Sequence, residues 1–501
     1  MKQAFRWYDY ITINIYYLGL STLSQTLSPL VFPLLVQQFV GEEAKGTFFG
    51  TLRLWSLMVA LLAQAVWGNL SDRTRTRWGR RRPYILGGTV VDVIFIALIG
   101  FSAGMSGWTG FWFLFVIALL LQISSNAAQA AQQGLIPDLV PEELRGRFSA
   151  IKAVFEVPLP VILVSFTVGR LIGAGNMVGG ILVAVAVLLI GMGLALYIPE
   201  RTPEQKLPPL DWSPIVRLLL MTALFTIVIL GLGEGIKWFS TLFDGISDTI
   251  VLFAVLGLAG LLAMMLAIAL GVSLSIRISI GAAARSNPSF TWWVINRLAF
   301  LVGAINISTF VVFFLQGRLG LVREKAAAPA ANLLLIVGIM ILVTALLSGW
   351  LADRFGHKRM VAYAGLLAAL GTLIAILIPD LFAINIGGIF IGAATGMFYT
   401  ANWALGTGLV PQAEAGRYLG ISNLAGAGAG AVGAYIGGPI ADYFTVRVPG
   451  IPGLGYVLLF AVYGALFLLS VVALSRVEDP ADSHEQSLLE SEPGLEARTA
   501  Q

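Results

Sequence analysis

Asp92, Glu156 and Arg297 lie inside long apolar runs. A charged side chain in hydrocarbon is costly and by default marks a functional site. Glu156 is followed by Pro158 and Pro160. Pro160 has no N–H to give the carbonyl of Glu156, so the helix is weakened at that point. A carboxyl there can take up and release a proton, and Glu156 is the first candidate for a proton carrier. A permanent ion pair with Arg297 is the alternative, and Asp92 is the rival carboxyl at similar depth. The second chemistry is uncharged. Amides and hydroxyls recur at helical spacing in four apolar runs. Tyr17, Ser21, Ser24, Gln25 and Ser28 share a face with Asn14. Gln122, Asn126, Gln129 and Gln133 fall at i, i+4, i+7 and i+11. Trp292, Asn296, Gly303 and Asn306 form a third set, and Thr395, Tyr399, Asn402 and Trp403 a fourth. Polar atoms cannot face lipid unsatisfied, so these stripes face other helices or water. Hydrogen-bond glue between helices is one reading; a cavity wall is the other. Amides both donate and accept, which suits hydroxyls, and Tyr and Trp rings suit the C–H face of a sugar. The named substrate candidates are Tyr17, Gln25, Asn126, Gln129, Asn296, Asn306, Tyr399, Asn402 and Trp403. Basic residues are nearly absent from these faces, which argues against phosphorylated or multiply anionic ligands.

The elements that must carry these residues are membrane helices. Of 501 residues, 57% are hydrophobic and 12% charged, against about 25% charged in soluble proteins. Apolar segments of about 20 residues, enough to cross a core of roughly 30 Å as a helix, recur near 11–36, 50–70, 84–104, 109–133, 147–173 and 177–198. A polar, proline-rich connector follows, then apolar segments near 215–233 and 250–275. Six more lie near 290–316, 331–352, 360–378, 381–407, 417–444 and 454–475. This predicts an all-α polytopic protein of about 14 spans. No run alternates as a barrel strand would. The expected division is a six-helix half over 1–200, a central connector with two extra helices over 201–289, a second half over 290–476 and an acidic, disordered tail over 477–501. The extra pair reads as packing without direct chemistry.

Cysteine is absent, and the two histidines, His357 and His484, fall outside the apolar runs. No metal site or cofactor is expected, and no HExxH, Ser–His pairing or phosphate loop points to an enzyme. The run after the basic start is too long for a cleaved signal and reads as a first helix. The tail after Arg476 holds seven acids against Arg498. With both termini in the cytoplasm, 22 Lys and Arg residues fall in cytoplasmic segments and 8 outside, as the positive-inside rule requires.

Two motifs occur twice, in the same order. The stretch GNLSDRTRTRWGRRRP, Gly68 to Pro83, holds six arginines in ten residues; between two membrane-length runs it reads as a cytoplasmic anchor, not a nucleic-acid patch. GWLADRFGHKR, Gly349 to Arg359, repeats it. Gly349, Asp353, Arg354, Gly356, Lys358 and Arg359 fall where Gly68, Asp72, Arg73, Gly79, Arg81 and Arg82 fell. LVPEELRGRFSAI, from Leu139, is echoed by LVPQAEAGRYLGI, from Leu409. Repeats in the same order imply two parallel halves. A further stripe, Gly426, Gly430, Gly433 and Gly437, permits close helix approach.

The doubled G-x-L-A-D-R-x-G-[RK]-[RK] pattern resembles the major facilitator superfamily of transporters. The longer SDRTRTRWGRRRPYI form resembles, more narrowly, the sucrose-type and glycoside–pentoside–hexuronide cation symporters. The resemblance implies two six-helix halves that rock about a midplane site, with the first and fourth helix of each half lining the cavity. It implies that Asp72 and Asp353 latch a cytoplasmic gate; a plain loop salt bridge is the alternative. Those symporters bind sodium with carboxylates on the second and fourth helices, which this chain lacks in its predicted spans, so protons are the expected coupling ion. The expectation is a monomeric plasma-membrane transporter that takes up a sugar or glycoside with a proton. A proton-coupled exporter of amphipathic compounds is the rival within transport. A non-transporting assembly factor or sensor on the same fold is the rival outside it.

Overall fold

The computed structural model describes residues 6–198, 200, 212–281, 288–410 and 415–478. The acidic tail from Asp479 and most of the proline-rich connector lie outside the described residues. Among the described residues, fourteen helices are long and apolar enough to cross a membrane, as the hydropathy pattern predicts. They are α1 Trp7–Val40, α2 Lys45–Arg73, α3 Arg82–Ser102, α4 Gly107–Leu139, α5 Glu142–Gly173, α6 Met177–Ala195, α7 Ser213–Thr241, α8 Thr249–Ser279, α9 Pro288–Thr309, α10 Arg323–Phe355, α11 His357–Leu377, α12 Leu381–Leu409, α13 Ala415–Arg447 and α14 Leu454–Leu474. A short helix, Val311–Leu319, continues α9 after a break at Phe310.

Several boundaries differ from expectation, each for a local reason. α5 starts at Glu142, not 147: Pro141 caps it, and Glu142 and Glu143 sit in its first turn, where carboxylates favour the positive end of the helix dipole. The LVPEELRGR motif is therefore a helix start. α2 runs from Lys45 to Arg73, so Gly68, Asp72 and Arg73 lie on helix and only the arginines beyond form a loop. α10 likewise continues to Phe355 and stops at Gly356, whose φ of 89° favours glycine.

The same packing pairs recur in both halves. In α1–α6 the first helix packs on the sixth, the third on the fourth and the second on the fourth; α9–α14 repeat this order. The halves join crosswise, α2 along α13 and α5 along α10, the second helix of each against the fifth of the other. That exchange is what a two-fold relation between parallel repeats produces. α7 and α8 pair with each other and lie on α13, with α8 also touching α9 and α14. Tyr435 donates to Glu234 at 2.7 Å, and Phe225 fills the space left by Gly271 and Gly428. The extra pair thus packs chiefly on the second half. α1 and α13 are the most enclosed spans, 78% and 89% buried, whereas α6 is 28% buried.

Two helices are irregular where they meet between the halves. α1 has a π turn over Leu27–Val31, with Pro29 inside it and Pro33 beyond. α5 breaks at Val157 (φ −118°, ψ −72°) ahead of Pro158 and Pro160, then carries a π turn over Val164–Val168. Non-helical backbone at membrane depth is tolerated where it is buried in protein or lines a cavity, and π turns concentrate at functional sites.

Candidate functional site

A cavity of about 260 Å³ lies between the halves. Its polar wall comprises Ser24, Gln25 and Ser28 of α1, Arg53 of α2, Ser308 and Thr309 of α9, and Thr395 and Tyr399 of α12. Its apolar wall includes Val157 and Val161 of α5, Leu334, Val337 and Ile341 of α10, and Ile391 of α12. The π turn of α1 and both proline-interrupted stretches border it. Arg53 donates to Ser28, and its Nε is buried with no hydrogen-bond partner. Among the described residues no Asp or Glu lines the cavity.

Of the sequence candidates, Gln25 and Tyr399 reach this cavity. Others do not. Asn296 is fully buried, donates to the Ser470 carbonyl at 2.8 Å and accepts from Asn402 at 2.9 Å. Asn402 in turn accepts from Arg297 at 3.0 Å, and its carbonyl accepts from the Trp293 indole at 3.0 Å. The Arg297 guanidinium lies over the rings of Trp293 and Trp403, 5.8 and 5.6 Å from their centroids. These residues tie α9, α12 and α14 together. Asn306 is also buried, donating to the carbonyls of Val302 and Ala429 at 2.9 and 3.0 Å beneath Gly433. For Asn296, Asn306 and Asn402 the correction is from cavity wall to interhelical hydrogen bonding, because an amide within reach of free carbonyls satisfies itself there. α4 supplies nothing to this cavity: Asn126 donates to the Gln122 carbonyl of its own helix, Gln129 is half-buried outside the cavity wall and Gln133 accepts from Gln64 at 3.1 Å.

The carboxyls also differ from expectation. Glu156 is not buried; its side chain is 39% exposed and pairs with Lys152 at 3.5 Å, not with Arg297. Lys152 sits 4.6 Å from the ring centroid of Tyr17, so Tyr17, Lys152 and Glu156 form one cluster next to the cavity residue Val157. The break at Val157 turns Glu156 outward. Asp92 is the buried carboxyl. It accepts from Ser124, and its second oxygen is buried with no partner. A proton on that oxygen would neutralise a group with no cation in ion-pair contact. One turn before Asp92, Thr89 shares a hydrogen bond of 2.6 Å with the Tyr16 hydroxyl, linking α3 to α1.

The arginine loop is bolted to its own half. Buried Arg81 pairs with Asp72 at 2.5 Å and Asp138 at 2.9 Å and donates to Ser71 at 2.5 Å. Arg80 also pairs with Asp138. The backbone N–H groups of Arg81 and Arg82 donate to Glu200, whose carboxyl is pushed up by burial against those bonds. Gly79, at φ 102°, lies flat against Glu200 where a Cβ would collide. Asp72 and Asp138 do place carboxylates on α2 and α4, but at the loop end and already held by arginines. The second copy is looser. Asp353 is exposed and 3.9 Å from His357, Arg354 lies over Trp350 and Phe355, Arg359 is exposed, and Lys358 donates to the Val477 carbonyl at 2.5 Å. In both copies the loop is fastened just past the sixth helix of its half.

The opposite face is sealed. Asp442 of α13 accepts from the N–H groups of Gly46 and Thr47, at 2.8 and 2.6 Å, in the first turn of α2. A Cβ on Gly46 would lie 2.7 Å from the Gly438 carbonyl oxygen, so the helices cross there backbone on backbone. Gln316 accepts from Lys45 at 3.0 Å and donates to Gln37 at 2.9 Å, and Ser165 donates to Asn332 at 2.7 Å. These hydrogen bonds join the halves toward this face. Outside the seal is a vestibule of about 530 Å³ with Glu42, Lys45, Arg323 and Tyr456 in its wall. Burial raises the Glu42 carboxyl, but Lys45 and Gln37 outweigh it and hold the group below its ordinary range. Toward the arginine-loop face, Gln133, Glu156, Tyr399 and Trp403 are partly exposed. Among the described residues no group of three His, Asp or Glu side chains could hold a metal ion.

Sequence reasoning missed Arg53 and Asp442. Arg53 was placed at the edge of a span, yet α2 begins at Lys45 and carries it two turns deep. Asp442 sits in an expected span, and its position beside the helix stripe of glycines was the available signal.

Residues 21–208 match the family model described as MFS/sugar transport protein, and residues 319–498 match that of the Major Facilitator Superfamily. A lactose permease of Lactobacillus helveticus is 27% identical over 143 residues, 27% of this chain and 22% of that protein. A sucrose transport protein of Oryza sativa subsp. japonica is 32% identical over 105 residues, 16% of this chain and 18% of that protein. The matches thus span about a fifth of these relatives' own length. The crystal structure of a D-xylose–proton symporter aligns with a TM-score of 0.62 over 95% of this chain and 99% of that chain, at 17% identity, which shows the fold alone. With one family model on each half and the crosswise two-half architecture throughout, the chain is a multi-pass membrane protein belonging to the major facilitator superfamily, a family of secondary transporters and not of enzymes.

Proposed function

We propose that this protein is a proton-coupled symporter of a sugar or glycoside, working by alternating access about the cavity between its halves. The carrying observation is the cavity itself. At about 260 Å³ it falls near the lower limit of ligand pockets, roughly 300–1,000 Å³. Its hydroxyls and the Gln25 amide suit a polyol, and the Tyr399 ring offers a flat face. The similarity of the first half to sugar-transport sequences supports the same class. In this reading the arginine-loop face is cytoplasmic, the conformation is closed outside, and Asp72 is a released gate latch that Arg81 holds meanwhile. Two carboxyls are candidates for the proton. Glu156 adjoins the cavity but is ion-paired and exposed; Asp92 is buried with a free oxygen, and its geometry fits the carrier better. The aliphatic wall of α5 and α10 favours one rival reading, export of an amphipathic compound.

The test is proton uptake. The purified protein in liposomes holding a pH-sensitive dye is given a panel of mono- and disaccharides. Sugar-dependent acidification of the lumen is expected, falling roughly a hundredfold or more in Asp92→Asn, the loss typical of removing a proton-transfer group, and less in Glu156→Gln. Loss only in Glu156→Gln would reverse the two assignments. No acidification with any sugar, together with lowered cellular retention of an amphipathic dye, would replace import by export.

A further inference from the structure

We propose that the inserted pair α7–α8 is a brace across the seam between the halves, holding the Asp442 face closed from outside the twelve-helix core. This rests on the alternating-access reading, in which that face must open. Opening it separates α2 from α13, since they belong to different halves. α7 lies along α13 and also touches α2, so it spans the seam. The pivot is Tyr435. Its backbone is pressed on α2: a Cβ on Gly50 would lie 2.3 Å from the Ala434 carbonyl oxygen and 3.2 Å from the Tyr435 Cα. Its side chain runs onto α7. The ring covers Gly233, where a Cβ would fall 2.4 Å from it. The hydroxyl donates to Glu234 at 2.7 Å, and Lys237 pairs with Glu234 at 2.6 Å while its ammonium sits 5.2 Å from the ring centroid. Two more fastenings flank this one. Arg447, beyond Asp442 on α13, pairs with Asp244 at 2.6 Å, and Phe225 wedges between Gly428 and Gly271. From α8, Gly260 receives Ile440, two residues from Asp442. Packing alone does not require the charges on α7. α8 packs on the same helix with Arg277, in its last turn, as its one charged residue. Glu234 lies inside a membrane span with its side chain 59% exposed, a costly place for a carboxylate, and what it gains there is the grip on Tyr435. Parting the halves breaks the contact between α7 and α2, and a contact made in one state and lost in the other favours the state that has it. Tyr435 holds α7 where that contact is made.

The experiment places spin labels at Glu43→Cys and Val322→Cys, exposed positions on the two halves at this face, in the purified full chain. The distance distribution is measured with the brace intact and in Tyr435→Phe, Glu234→Gln and Arg447→Gln. Gly438→Leu, which drives a side chain into the Gly46 backbone, marks the open distance. Tyr435→Phe removes the hydrogen bond and keeps the ring. It should raise the ratio of open to closed form roughly tenfold, the scale of one hydrogen bond to a charged group. Glu234→Gln keeps an acceptor and should raise the ratio less. Adding Glu234→Gln to Tyr435→Phe should raise it no further, because both act through one bond. Arg447→Gln breaks a pair that is nearly half exposed and should have the smallest effect. Thermal unfolding is the second readout: a merely structural contact lowers the unfolding temperature and leaves the distances unchanged. Unchanged distances in Tyr435→Phe, with Gly438→Leu open, overturn the brace and leave alternating access standing. If Gly438→Leu shows no wider distance either, the brace and the two-face reading fall together.

Discussion

Arg81 shows what one side chain does for a whole loop. It is buried at the start of α3, joins Asp72, Ser71 and Asp138, and lies flat on Gly134 where a Cβ would collide with the guanidinium. Breaking a buried ion pair by removing one partner costs roughly 3–5 kcal/mol. Asp72 is half exposed, so Arg81→Gln should fall at the lower end of that range. Thermal unfolding in detergent checks it, with Arg80→Gln as the comparison; a fall no larger for Arg81→Gln than for Arg80→Gln would mean that burial adds nothing. At this scale the sequence was partly legible. It marked Arg81 by its repeated motif and both Asp92 and Glu156 by their place in apolar runs. It could not say which carboxyl is buried. That depends on the rotation introduced by the break at Val157, and a proline motif predicts a break without predicting its direction.

At the scale of elements, the junction between α13 and α2 governs the closed face. Asp442 accepts two N–H groups from the first turn of α2, a position where those donors otherwise lack partners. Replacing an acidic cap of this kind costs about 0.5–2 kcal/mol. Asp442→Ala should therefore shift the balance away from this closed form by roughly 2- to 30-fold. Because the chain has no cysteine, spin labels at Glu43→Cys and Val322→Cys report the opening of this face directly. An unchanged distance distribution would show that the glycine crossing closes the face without Asp442. The helices that build the cavity were only half readable. α1, α9 and α12 announced themselves by polar stripes. α5 and α10 contribute valine, leucine and isoleucine, which look the same whether they face lipid or a cavity. Arg53 was misplaced because α2 starts five residues earlier than its hydropathy suggested, which moves the side chain from the rim into the interior.

Across the whole molecule, the crosswise joining of halves makes the two faces alternatives. In the closed form Glu42 sits among Lys45, Gln37 and Arg323, with Asp442 across the seal, and its carboxyl is held below its ordinary value of 4.5. A group whose value is depressed by closure stabilises the closed form above the ordinary value, and that contribution is lost as pH falls through the depressed one. The same pair of labels should therefore report widening of this face as pH is lowered from 7 to below about 4.5, and Glu42→Gln should flatten the response. A response unchanged in Glu42→Gln would assign it to another acid. The two-half plan itself was legible because its two motifs recur in one order, and order is all that parallel repeats need. Which face is closed was not, since that is a choice between conformations of one sequence.

The crossing of Gly46 on Gly438 bears on energy conservation in the membrane. Backbone atoms in direct contact leave no room for water at this crossing. On the proton-coupled reading proposed above, a carrier resting in this form gives protons no chain of waters to hop along there and does not short-circuit its driving gradient. Larger side chains at the crossing would hold the helices apart and admit such a chain. The glycines are then the insulation of the device: they let an empty carrier sit in an energised membrane without discharging it.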